Sequence, residues 1–173
     1  MKTKALWITE TALLLALLVA LQWVTKPLGQ FVTGSCVNLV LGISALVGGV
    51  GCGTVVALAS PFFAFLLGLG PALLPLVPMV AIGNLVLVIL LHLLAARAKT
   101  LWHSYLAAAV AALAKFCVLY ALVVKLLLPI LGLPNAKMAI ITASFSWPQL
   151  VTASIGGLLA VSIAPMIRKA LHK

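Results

Sequence analysis

The chain has 173 residues, 65% of them hydrophobic, and a mean hydropathy of +1.35. A soluble domain of this length needs far more polar surface, so the composition calls for a membrane-integrated protein with no room for a soluble catalytic module. Eleven Lys and Arg against a single acid, Glu10, would suggest nucleic-acid binding in a soluble chain. Here the cations sit mostly at the ends of apolar runs, where they set topology, and no nucleic-acid partner is expected.

A short basic start, with Lys2 and Lys4, leads into a first helix over residues 5–24. It has the charge pattern of a signal peptide, but Glu10 interrupts the run and no small-x-small cleavage site follows, so it is read as a retained helix. Ala12, Ala16 and Ala20 recur every four residues and share one stripe, where another helix can approach closely. Residues 26–31 form a turn-rich connection.

Residues 34–92 contain no charged side chain. At about 1.5 Å per residue this stretch crosses a ~30 Å hydrocarbon core about three times. The breaks are the glycine cluster at 48–53 and the segment with Gly68, Gly70, Pro71, Pro75 and Pro78. Helices are expected over 34–47, 53–67 and 78–96, with Pro61 bending or breaking the second of these. Arg97, Lys99 and His103 mark a polar loop. A fifth helix covers 101–131, Gly132, Pro134 and Asn135 turn the chain, and a sixth covers 138–167, interrupted early by Pro148.

The fold class is therefore all-α: one polytopic membrane domain, residues 1–173, built as a six-transmembrane-helix bundle. Lys2, Lys4, Arg97, Lys99, Arg168, Lys169 and Lys173 fall on the side of the termini, and only Lys26 and Lys137 lie in the opposite loops. The positive-inside rule puts both termini in the cytoplasm.

Polar groups at membrane depth need a reason to be there. Lys115 lies near the middle of the fifth helix and has three competing explanations. It pairs with Glu10, it is neutral in its apolar surroundings, or it meets an anionic group of a ligand. Lys125, nearer the outer boundary, is placed to snorkel. Asn38, Asn84 and Gln149 are costly in lipid and should face the bundle, with interhelical hydrogen bonding as their ordinary role. Together with Tyr120 and Trp147 they offer amides, aromatic walls and a cation suited to a small polar solute; Trp147 alone also fits an interfacial anchor. Pro148 frees a backbone carbonyl in the same region.

One acid and scattered histidines leave no carboxylate pair, no metal site and no acidic proton relay, so no enzyme activity and no cofactor is expected. The glycine cluster lacks the Gly-Lys-Ser/Thr ending of a phosphate loop. Cys36, Cys52 and Cys117 lie in apolar segments and read as small buried hydrophobes.

Six helices, a basic N-terminus, the Ala12-Ala16-Ala20 stripe, and the segments TGSCVNLVLGIS, SPFFAFLLGLGP and Gly83-Asn84 resemble the substrate-binding membrane subunits (S components) of energy-coupling-factor vitamin transporters. The resemblance implies a bacterial cell-membrane protein that binds a vitamin or related micronutrient near the outer face. Its implied partners are a transmembrane coupling protein and two ATPase subunits. Ala12, Ala16 and Ala20 would contact the coupling protein, and the outward loops would cover the ligand. The competing expectation is a structural scaffold of an envelope or cell-shape assembly, similar to MreD-type proteins.

Overall fold

A backbone in hydrocarbon must satisfy its own N–H and C=O groups, so long runs without charge coil. The computed structural model describes residues 4–68 and 73–171, and among them there is no strand. α1 spans Lys4–Thr25, α2 Gln30–Ile43, α3 Val50–Leu66, α4 Leu76–Leu90 and α5 Leu101–Leu119. They are followed by α6 (Leu128–Leu131), α7 (Asn135–Ser144) and α8 (Trp147–Ala170). Wide π turns extend α2 through Ser44–Gly48 and α4 through Leu91–Ala95, and a longer one over Tyr120–Leu127 joins α5 to α6.

Counting these continuations, five helices are long and apolar enough to cross a membrane: Lys4–Leu28, Gln30–Gly48, Leu76–Ala95, Leu101–Leu131 and Asn135–Ala170. Val50–Leu66 is a shorter apolar helix. Lys2, Gly70, Pro71, His172 and Lys173, which entered the sequence expectations, lie outside the described residues.

Two local expectations are corrected, and the early interruption expected at Pro148 falls just before it. The 26–31 connection shrinks to a single 3-10 turn, Lys26–Leu28, and Gly29, so α2 starts earlier than expected. The helix of α3 continues through Pro61, and Gly51 and Gly53 lie inside it instead of in a turn. The final helix divides at Phe145–Ser146, and Pro148 sits in the first turn of α8. Proline lacks only its own N–H, a small loss where the carbonyl four residues back finds another donor. The Ser144 carbonyl, four residues before Pro148, accepts from Gln30 Nε2 at 2.6 Å and Gln149 Nε2 at 3.2 Å.

Successive helices run back and forth. At one end of the bundle, Trp7 of α1 lies against Gly51 of α3. At the same end Arg168 of α8 donates from Nε to the Leu46 carbonyl at 2.9 Å and also from Nη2, while His92 Nδ1–H donates to the Ala45 carbonyl at 3.1 Å. Leu46, Leu101 and Arg168 border one small cavity there, so the start of α5 shares this end. At the other end Lys26 Nζ donates to the Gly68 carbonyl at 2.9 Å.

Two links depend on glycine backbone. Gly29 (φ 86°, ψ 172°) and Gly49 (φ 92°, ψ 172°) reverse the chain before α2 and before α3. This region is essentially closed to residues with a Cβ, and a side chain at either site would meet nothing within 4 Å. Gly49→Ala should therefore destabilise the bundle by about 2 kcal/mol through backbone strain alone. Equilibrium unfolding in mixed micelles measures this, and an unchanged midpoint would contradict the strained-link account.

The α2–α8 seam is built from small residues at a spacing of four. Gly34 faces Thr152, Gly156 faces Asn38 with the adjacent backbone of Ser35 and Leu39, and Gly42 faces Ala160. On α4, Gly83 packs against Leu119 of α5. These close approaches bring the polar side chains of α2, α4 and α5 within bonding reach of one another.

Candidate functional site

Lys115 is 3% exposed, on the same face of α5 as Leu119, one turn away. Its Nζ donates to Asn38 Oδ1 at 2.6 Å and to Asn84 Oδ1 at 2.7 Å. Each amide is positioned by a glycine contact. Gly156 lets α8 close on Asn38, and Gly83 lets α4 close on α5 beside Asn84. Asn38 is held in one orientation, because its Nδ2 donates to the Gly34 carbonyl at 2.8 Å and to Thr152 Oγ1 at 3.4 Å. Thr152 in turn donates to the Gln149 carbonyl at 3.3 Å, leaving its oxygen to accept. The Asn38 oxygen is thereby turned toward the lysine.

The Lys115 Nζ directs two N–H groups at neutral amide oxygens, and the residue borders a cavity of about 480 Å³. Asn38, Asn84, Lys115 and Gln149 all line it. Its sides are apolar, with Val37, Phe65, Val77, Val80, Ile141 and Phe145 among them, and Lys26, Gly29 and Gln30 border it at the end away from the chain termini. The geometry gives Lys115 two amide partners inside the protein, which none of the three explanations named. Glu10 lies on α1, which packs chiefly on α2 and α3, whereas α5 packs chiefly on α8 and α4.

Tyr120, Lys125 and Trp147 are not among the cavity's lining residues. Lys125 is exposed, with Nζ 5.7 Å from the centre of the Tyr120 ring, and Tyr120 lies 5.9 Å from Phe116. Trp147 is 62% exposed and packs on Phe31 at 5.3 Å between ring centres. Ala12, Ala16 and Ala20 are all exposed on the outer face of α1, away from its buried Thr11, Leu18 and Thr25.

Gln22 and Ser60 also line the cavity and were not among the ligand-binding residues expected from the sequence. Gln22 carries the same signal that drew attention to Asn38, an amide inside an apolar helix. Ser60 is less visible, because a helical hydroxyl ordinarily bonds back to its own backbone.

Compared with known proteins, the chain matches no family model, no curated protein and no solved structure.

Proposed function

We propose that this chain is the substrate-binding subunit of an energy-coupling-factor type importer in a bacterial cell membrane. It crosses the bilayer six times with both termini in the cytoplasm, as the distribution of Lys and Arg favours. Its ligand is a vitamin or related micronutrient bearing a carboxylate or phosphate. The cavity over Lys115 is the observation that carries this reading. A desolvated cation facing a ligand-sized space, with only neutral amides bonded to it, favours an anionic guest. In this reading the transport energy comes from two partner ATPases through a coupling protein, which docks on the exposed Ala12-Ala16-Ala20 stripe.

Native mass spectrometry of the protein, extracted gently from its own membrane, tests the proposal. A small anionic adduct together with a complex containing a coupling protein and two ATPases is the expected result. Envelope-assembly partners with lipid adducts alone would replace this reading with the scaffold.

The stripe has its own test. Ala16→Leu adds bulk on an exposed face of α1 without entering the core. Co-purification of the ATPases should fall several-fold while small-anion binding stays unchanged. Full retention of the complex would place the docking surface elsewhere.

A further inference from the structure

We infer that Gln22 and Ser60 form a second, hydrogen-bonding subsite on the α1–α3 wall of the cavity, taking a hydroxyl or N–H group of a ligand whose anionic end rests on Lys115. This rests on reading the cavity as a ligand site. Among the described residues, Gln22 Oε1 and Ser60 Oγ are buried side-chain polar atoms with no hydrogen-bond partner. Both residues line the cavity that Lys115 borders. Ser60 is 1% exposed.

The absence of a partner on Ser60 is a departure from the rest of the bundle. Thr11, Thr25 and Ser44 are also buried, and each closes on its own helix, donating to the carbonyls of Trp7 at 2.8 Å, Leu21 at 2.6 Å and Leu41 at 2.7 Å. The same backbone bond is the default for any helical serine, yet the Ser60 hydroxyl does not make it. The Gln22 oxygen is an acceptor and can be satisfied only by a donor. A donor brought by a guest gives each atom the hydrogen bond that the protein itself does not supply. A purely apolar or purely anionic guest leaves the α1–α3 wall unpaired.

The lining thus describes the chemistry of the guest. An acceptor-rich anionic group meets Lys115 beside Asn38 and Asn84. An apolar middle passes Val37, Val77 and Val80, and a neutral donor reaches Gln22 and Ser60. The class is a short amphipathic carboxylate or phosphate with a hydroxyl or N–H group remote from the charge.

Matched pairs of probes test this on the full chain in detergent. Alkanoates from butanoate to octanoate are compared, by calorimetric titration, with the ω-hydroxyalkanoates of the same length. At the length that spans the cavity, the hydroxylated probe should bind about tenfold more tightly, equivalent to about 1.4 kcal/mol. That advantage should vanish in Gln22→Leu and Ser60→Ala, while the parent alkanoate binds both variants as it binds the unaltered protein. Both variants should also melt at the same or a higher temperature without a probe, because each removes a buried polar atom that lacks a partner. A helix-packing role for the two residues predicts the reverse.

Equal binding of the paired probes at every length, binding of neither probe, or loss of thermal stability in both variants overturns the subsite. Failure to find ATPase partners removes the transport reading and leaves this test untouched.

Discussion

Lys115→Met should weaken binding of a small carboxylate on the order of a hundredfold or more, whereas Lys125→Met should leave it unchanged. The first substitution removes the cation that borders the cavity; the second alters an exposed side chain lying over Tyr120. Truncating one partner of a buried charge pair costs about 2–5 kcal/mol, because the other charge is left without compensation. Roughly 2.7 kcal/mol of that already corresponds to a hundredfold change in Kd. Thermal stability should move much less. The variant leaves the Asn38 and Asn84 oxygens without their donor, at about 1–3 kcal/mol each, but it also removes the desolvation cost of an ammonium group.

Asn84→Asp is the complementary change. It is nearly isosteric and places a carboxylate where the amide oxygen now lies, 2.7 Å from the ammonium. An internal counter-charge then competes with the guest, and anion binding should fall with the bundle intact. An unchanged Kd in Lys115→Met would show that the lysine serves only to tie α2, α4 and α5 together.

The sequence displays the helices more readily than the faces they turn to one another. Helix existence follows from long runs without charge, and α1 and α5 start within a residue of expectation. The faces are hidden because a helix that is apolar all round carries no periodic signal to say which side is inside. Tyr120 follows the cavity-lining Lys115 by five residues, about 140° around the helix, and is not part of the lining. Asn38, Asn84 and Lys115 were legible for a different reason. Each is a polar group too costly to leave in lipid, so its inward direction follows from its chemistry alone. Trp147 lacks that constraint, since its ring is at home on either side of the boundary. Its exposed place against Phe31 could be known only once α7 and α8 were seen to break at Phe145–Ser146.

The adjacent glycines of α8 should respond in opposite ways to the same added methyl group. At Gly156 a Cβ would stand 2.6 Å from the Leu39 amide nitrogen and 2.7 Å from the Ser35 carbonyl oxygen. Both are backbone atoms of α2, inside a helix whose ladder leaves them no room to turn aside. Separation of the two helices is the only relief, and it pulls on the whole seam from Gly34–Thr152 to Gly42–Ala160. Overpacking typically costs 1–3 kcal/mol where side chains can adjust. Against rigid backbone, Gly156→Ala should cost about 3 kcal/mol or more. It should also abolish anion binding, because Asn38, which presents its oxygen to Lys115, is itself among the atoms displaced. At Gly157 the added Cβ would meet Ala108 Cβ at 3.5 Å, an ordinary contact. There the lower backbone entropy of alanine in a helix dominates, and Gly157→Ala should be neutral or stabilising by up to about 1 kcal/mol. Equilibrium unfolding and carboxylate titration of the two variants, side by side, provide the measurement. Equal stability would mean that α2 and α8 do not pack backbone to backbone. A stable Gly156→Ala that still binds would separate the seam from the cavity it is held to build.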